Sequence, residues 1–203
     1  MSKQSYTSII TSSPVEIKEK GSKFIGLAAC CKTEEEVKRT LEAWHEEHPS
    51  ATHICYGYCL GIEGDKTRAN DDGEPNNSAG APILGQIMSA EITNVLVGVV
   101  RYYGGTKLGV GGLIQSYKLA AKEVLSGSMK KRYRLADYFK IDFSYAEMPL
   151  VMNVLKRNQI EIVRTEMNAE CFIEVKCSIA EPIDINGLLA MYSSVKIEFI
   201  ERK

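Results

Sequence analysis

Residues 92–127 read ITNVLVGVVRYYGGTKLGVGGLIQSYKLAAKEVLSG. The opening ITNVLVGVVRYY is a nearly continuous apolar run, the pattern of a strand buried on both faces. The closing LIQSYKLAAKEVLSG sets Leu113, Tyr117, Ala120, Ala121 and Val124 on one helical face, and Gly127 ends it. Between them lies a loop holding Gly104, Gly105, Gly109, Gly111 and Gly112. Such a loop loses much backbone entropy on folding. The usual return is a set of positive φ angles, or a backbone close enough to touch a ligand. A helix starting at Gly111 or Gly112 would turn free N–H groups toward an anion, with Lys107 and Arg101 adding formal charge. The spacing is not that of a nucleotide site. Val110 stands where a phosphate loop needs Lys, and Ile114 where a dinucleotide fingerprint needs Gly. The plainer alternative is a tight strand-to-helix connection whose glycines only permit packing.

Upstream, PVEIKEKGSKFIGLAACC gives extended stretches joined at KGSK. Thr33 caps a helix carrying Val37, Leu41 and Trp44, with Glu36 placed for a capping box and Pro49 beyond its end. THICYGYCLGI reads as a strand of aromatic and small residues. A loop follows directly, and then GAPILGQIMSA reads as a short helix with Pro82 in its first turn. Downstream, MKKRYR reads as a basic bridge between domains. Beyond it the chain alternates YFKIDFSY, EMPLVMNVLKRN, IEIVRTEM, ECFIEVKCSI, EPIDINGLLAMYSS and VKIEFIE. That is β-α-β-β-α-β, the split-βαβ ferredoxin-like order. The expected fold class is therefore α+β in two domains, residues 1–132 and 133–203.

The bulk composition narrows the function classes. The 203 residues are 44% hydrophobic and 25% charged, which fits a globular chain and excludes disordered or collagen-like ones. No apolar run is long enough for a bilayer span, and MSKQSYTSII lacks the apolar core of a signal peptide, so a cytoplasmic protein is expected. Net charge is -1, but its distribution is uneven. From Ile92 to Leu135 there are eight Lys or Arg against the single acid Glu123. Such a dipolar surface could steer an anionic partner; the alternative is that these charges are simply solvated. The cysteines show no C-x-x-C spacing and read as small buried side chains. His45 and His48 sit near a helix end without the zinc H-E-x-x-H spacing; His53 opens a strand and could reach the central loops, though a plain strand-end role is the favoured reading.

The loop after THICYGYCLGI contains NDDGEPNNSAGAPIL, residues 70–84. Asp71, Asp72 and Glu74 could bind a cation, act as acid and base, or accept hydrogen bonds from backbone and arginine. The calcium-loop spacing is absent and there is no second ligand cluster, so no metal and no cofactor are expected. The structural alternative is a turn built by Asp, Asn, Gly73 and Pro75, docked on Arg101 or Lys107.

DDGEPNNSAGAPIL followed by VVRYYGGTKLGVGGLIQSY resembles the IMPACT/YigZ family over about Lys18 to Leu125. The remainder is similar to the small C-terminal domain of its bacterial members, itself likened to a late domain of elongation factor G. The resemblance implies an N-terminal α/β domain of the type seen in ribosomal proteins and small-molecule kinases. The family's first motif falls on Asp71, Asp72, Gly73, Glu74, Pro75, Ala79, Gly80 and Pro82. Its second falls on Arg101, Tyr102, Gly104, Gly105, Lys107, Leu108, Gly109, Gly111 and Gly112. Where many members carry basic residues, this chain has Ala81 and Gln115.

The candidate ligand-binding residues are accordingly Asp71, Asp72, Glu74, Ser78, Gly80, Arg101, Tyr102, Gly104, Gly105, Lys107, Gly109, Gly111 and Gly112, with no catalytic residue assigned. The two loops are expected to meet and frame one cavity, with room for a small anion. The leading expectation is a translation-linked regulatory protein, not an enzyme, that binds RNA or a ribosomal surface through the glycine-rich loop and basic segment. The alternative is an enzyme acting on a small phosphorylated substrate through the Asp-Asp-Gly-Glu-Pro loop. A third reading is an adaptor docking another protein by an edge strand.

Overall fold

A computed structural model describes residues 3–167, 171–192 and 194–203. The chain divides into two compact units. One is Tyr6–Tyr133; the other is Arg134–Lys203 with the residues up to Ser5.

The first unit runs β1 (Ser5–Thr11), β2 (Val15–Glu19), β3 (Ser22–Cys30), α1 (Glu34–Glu47), β4 (His53–Leu60), β5 (Lys66–Asn70), α2 (Gly80–Ser89), β6 (Val95–Tyr102), α3 (Gly109–Gly127) and β7 (Met129–Arg134). Its main sheet has the order β2-β3-β6-β4-β5, antiparallel throughout. The apolar run read as a central strand is β6, buried over nearly its whole length. Strand alternation splits its side chains between two cores. Val95, Val97 and Val99 pack with Ile83 and Ile87 of α2 and with Tyr117, Ala120 and Val124 of α3. Leu96 and Val100 pack with Val37 and Trp44 of α1 on the opposite face. Gly98 belongs to that second face, where a Cβ would lie 2.5 Å from the Trp44 ring. Helix α1 starts as expected, with Glu36 N donating to Thr33 Oγ1 at 3.2 Å.

Several elements differ from the sequence expectation. The stretch Lys66–Asn70 is not loop but an edge strand on β4. MKKRYR, within which the two units divide, is not an irregular linker but a strand, β7, paired with β1 in a separate ribbon. Tyr6 and Tyr133 stack there with ring centroids 5.0 Å apart. Helix α3 begins at Gly109, earlier than Gly111 or Gly112. The cysteines form no disulfide among the described residues. Cys30 is exposed and Cys31, Cys55, Cys59, Cys171 and Cys177 are buried.

The second unit runs β8 (Ala136–Phe143), a 3-10 turn at Tyr145–Glu147, α4 (Met148–Arg157), β9 (Glu161–Met167), β10 (Cys171–Ser178), α5 (Ile185–Leu189) and β11 (Lys196–Arg202). Its sheet order is β11-β8-β10-β9, antiparallel throughout. Ile141, Phe143, Ile173 and Val175 face Val151, Leu155, Ile185 and Leu189 of the helices. Helix α5 is shorter than EPIDINGLLAMYSS suggested. It starts only after Asp184, whose Oδ1 accepts from Gly187 N at 3.0 Å. Glu170 and Ser193, at the edges of expected elements, lie outside the described residues. No described helix is long and apolar enough to cross a membrane.

Candidate ligand-binding cleft

Strands β4 and β6 pair with His53 opposite Arg101. That pairing sets the floor of a cleft of about 400 Å³. Glu74 and Pro75 of the acidic loop form one wall, and Lys107, Leu108, Gly109, Val110 and Leu113 form the other. The two loops, far apart along the chain, thus frame one space.

The deepest groups form a buried network. Arg101 Nη1 donates to Glu74 Oε1 at 2.6 Å, and the Tyr117 hydroxyl donates to the same oxygen at 2.7 Å. Glu74 is 8% exposed and Arg101 6%. Ion pairs so enclosed survive only when their remaining valences are met. Here they are met incompletely. Glu74 Oε2 has no partner among the described residues, and Arg101 Nε is enclosed without an acceptor. The Arg101 guanidinium lies 5.5 Å from the ring centroids of both Phe24 and Tyr103.

The other carboxylates of the acidic loop do not reach the cleft. Asp71 Oδ1 accepts from Ala79 N and Gly80 N at 2.9 and 2.8 Å, and its Oδ2 from Asn77 N at 2.8 Å. It thereby caps α2 from upstream, where Ala79 has no side-chain oxygen to do so. Asp72 Oδ2 accepts from Ile54 N at 2.6 Å, locking the loop to β4. Backbone hydrogen bonds hold both, so only Glu74 of the three presents a carboxylate to the cleft.

Other expected site residues also serve packing. The Ser78 hydroxyl donates to Pro75 O at 2.6 Å inside the loop. Gly80 lies against the Asn70 backbone, where a Cβ would sit 2.5 Å from its nitrogen. Tyr102 follows Arg101 on the strand and so faces the other way. It packs near α1, its hydroxyl 2.9 Å from His48 Nδ1. Gly104 presses on Gly21, whereas Gly105 and Gly109 take positive φ with open space around them. Gly111 also faces open space, and Gly112 meets Leu108; neither lines the cleft.

His53 lines the cleft, so of its two expected places, a plain strand end and the reach of the central loops, the structure shows the second. Its Nδ1 lies 2.6 Å from the Asp72 carbonyl. A carbonyl only accepts, so Nδ1 carries a proton and the ring is fixed in orientation. The signal available in the sequence was its place at the start of a strand pairing with β6, but that register is not a local property.

The residues matching the Impact N-terminal domain family run from 20 to 125 and contain both loops of the cleft. The chain belongs to the IMPACT family. It is 28% identical over 196 residues to the IMPACT family member YigZ of Escherichia coli, covering 95% of this chain and 96% of that protein. It is 31% identical over 176 residues to the IMPACT family member YvyE of Bacillus subtilis, covering 85% and 81%. A crystal structure described as a hypothetical protein aligns with TM-score 0.74 and 27% identity over 98% of each chain. Both units thus have counterparts in IMPACT family relatives.

The buried side of this IMPACT domain site makes it sensitive to base. Burial, partly offset by its neighbour Tyr117, pushes the Cys55 thiol up from 9.0 to about 12. Burial also raises the Tyr117 hydroxyl, assisted by Cys55 and Glu74. Both groups hold their protons more tightly folded than unfolded, so folding stability falls as pH rises above their unfolded values. Between pH 9 and about 10.5 the Cys55 contribution should fall by about 2 kcal/mol. Urea midpoints followed through Trp44, the chain's only tryptophan, should show that decline. Cys55→Ala should flatten it; an equally steep decline in the variant would remove Cys55 as its cause.

Proposed function

We propose that this IMPACT family chain is a translation-linked regulatory protein of the cytoplasm whose N-terminal unit docks on RNA or on an RNA-rich ribosomal surface. One observation carries the reading. Lys107, Lys118, Lys122 and Lys130 are exposed, and none makes an ion pair among the described residues. Elsewhere in the same unit Lys18, Lys23 and Lys38 sit beside carboxylates. Unpaired cations spread from the glycine loop along α3 to β7 suit phosphate contacts, which dominate nucleic-acid affinity and release counterions.

The finer fold assignments belong to the same proposal. In the C-terminal unit, β8 and β10 are central and β11 and β9 are the edges, which supports a ferredoxin-like domain. The ribosomal-protein-like assignment of the N-terminal unit rests on the family resemblance. The enzymatic alternative has less support, since Asp71 and Asp72 are held by backbone N–H groups.

The test is fluorescence anisotropy with ribosomal RNA fragments and with ribosomes across a salt series. Binding should weaken by about 100-fold or more between 50 and 200 mM salt, as several phosphate contacts require. The triple variant Lys107→Glu, Lys118→Glu, Lys122→Glu should lose about 100-fold at the lower salt. Absence of binding to either probe at low salt, or a triple variant that binds like the parent, would refute the reading.

A further inference from the structure

We propose that the cleft between the acidic loop and α3 binds a small organic carboxylate with an apolar body and a hydroxyl or ammonium donor. This site adjoins the lysine-rich surface and shares Lys107 with it, but it reads from the groups that line it.

The first requirement is a hydrogen-bond donor. Glu74 Oε1 is saturated by Arg101 and Tyr117, which leaves Oε2 as the free acceptor of a carboxylate that is more than nine-tenths buried. His53, its ring fixed by the Asp72 carbonyl, adds a second polar side chain to the lining. A ligand that covered Oε2 without offering an N–H or O–H would strip it of water and leave it unsatisfied, which is costly.

The second requirement is a negative charge. Glu74 and Arg101 cancel formally, so Lys107 leaves the cleft with one excess positive charge. The first turn of α3 adds to it. That helix has no side-chain cap and no acidic residue in its first turn, and Leu108, Gly109 and Val110 lie in the cleft wall. A single excess charge matches a monoanionic carboxylate better than a phosphate dianion.

The third requirement is an apolar body. Pro75, Tyr103, Leu108, Val110 and Leu113 supply most of the remaining surface. The cleft volume of about 400 Å³ lies within the range of small-molecule sites, and a phenyl-sized group fits it.

Isothermal titration with phenyllactate, phenylalanine, 3-phenylpropionate, phenyl phosphate and inorganic phosphate tests each requirement. Phenyllactate or phenylalanine should bind, and 3-phenylpropionate, which lacks the donor, should bind at least about 10-fold more weakly. Val110→Glu places a like charge at the carboxylate end. Val110 is exposed and in the first turn of α3, so this change does not threaten folding. It should weaken the tighter ligand at least about 10-fold. The pair Lys118→Glu, Lys122→Glu should leave that affinity within about twofold while reducing RNA binding, which separates this site from the nucleic-acid surface. The proposal is overturned if neither phenyllactate nor phenylalanine binds at about 10 mM. It is equally overturned if Val110→Glu changes nothing, if the Lys118 and Lys122 pair abolishes carboxylate binding, or if either phosphate binds more tightly than both donors.

Discussion

Arg101→Met is expected to lower the unfolding free energy of the N-terminal unit by about 3–5 kcal/mol, the cost of breaking a buried ion pair from one side. The guanidinium is enclosed and its Nη1 lies 2.6 Å from Glu74 Oε1. Without it, Glu74 keeps only the Tyr117 hydroxyl and remains almost wholly out of water. Glu74→Leu should cost a similar amount, since it strands the arginine instead. The double variant Glu74→Leu, Arg101→Met should lose far less than the sum of the singles, because two charges and their desolvation leave together. Trp44 sits in α1, inside the same unit, so urea unfolding followed by its fluorescence reports on this unit and not on the C-terminal one. Single variants that each lose under about 1 kcal/mol, or losses that simply add, would show that the pair is not the keystone of the cleft.

The same pair shows what a sequence can and cannot reveal. That the acidic loop docks on Arg101 was one of the options its composition allowed, because a carboxylate loop and a strand-end arginine are natural partners. Which carboxylate does so was not legible. Asp71 looks as exposed in sequence as Glu74, yet it caps a helix that begins at Gly80, far beyond the usual reach of a cap rule. Strand β6 was readable as a continuous apolar run and α3 by its helical period, and together they bounded the glycine loop between them. Strand β5, KTRAN, has no such period: it is an exposed edge strand whose register comes wholly from β4. Strand β7, MKKRYR, is basic and aromatic after its opening Met129, and its partner β1 lies at the other end of the unit. Pairing between distant polar segments leaves no local trace. Tyr102 is the opposite case, since alternation alone turns it away from Arg101, and a strand reading carried through residue by residue would have moved it out of the cleft.

Among the glycines of the loop, Gly104 should be the one that tolerates no side chain. A Cβ there would lie 1.9 Å from the Gly21 carbonyl carbon, 2.0 Å from its oxygen and 2.3 Å from Ser22 N. These are backbone atoms of the β2–β3 turn, so no rotamer change relieves the overlap, and one loop must move off the other. The contact is also tied by Gly104 N donating to Ser22 Oγ at 3.1 Å, and Gly21 itself needs its positive φ of 82°. Gly104→Ala should therefore cost about 3 kcal/mol, the upper part of the range for overpacked sites. Gly105→Ala is the control for backbone strain alone. Its φ is 83° but nothing lies near, so its cost should stay near 1–2 kcal/mol. Gly111→Ala meets neither obstacle and should stabilise α3 by about 0.5–1 kcal/mol. Urea unfolding of the three variants through Trp44 fluorescence orders them. The order Gly104, Gly105, Gly111 from most to least harmful would mean that the motif's glycines divide their work, with Gly104 locking the loop to the neighbouring turn and Gly111 leaving helix backbone uncovered. A harmless Gly104→Ala would dissolve that division, because the two turns would then have room to part and the rigid wall of the cleft would be lost.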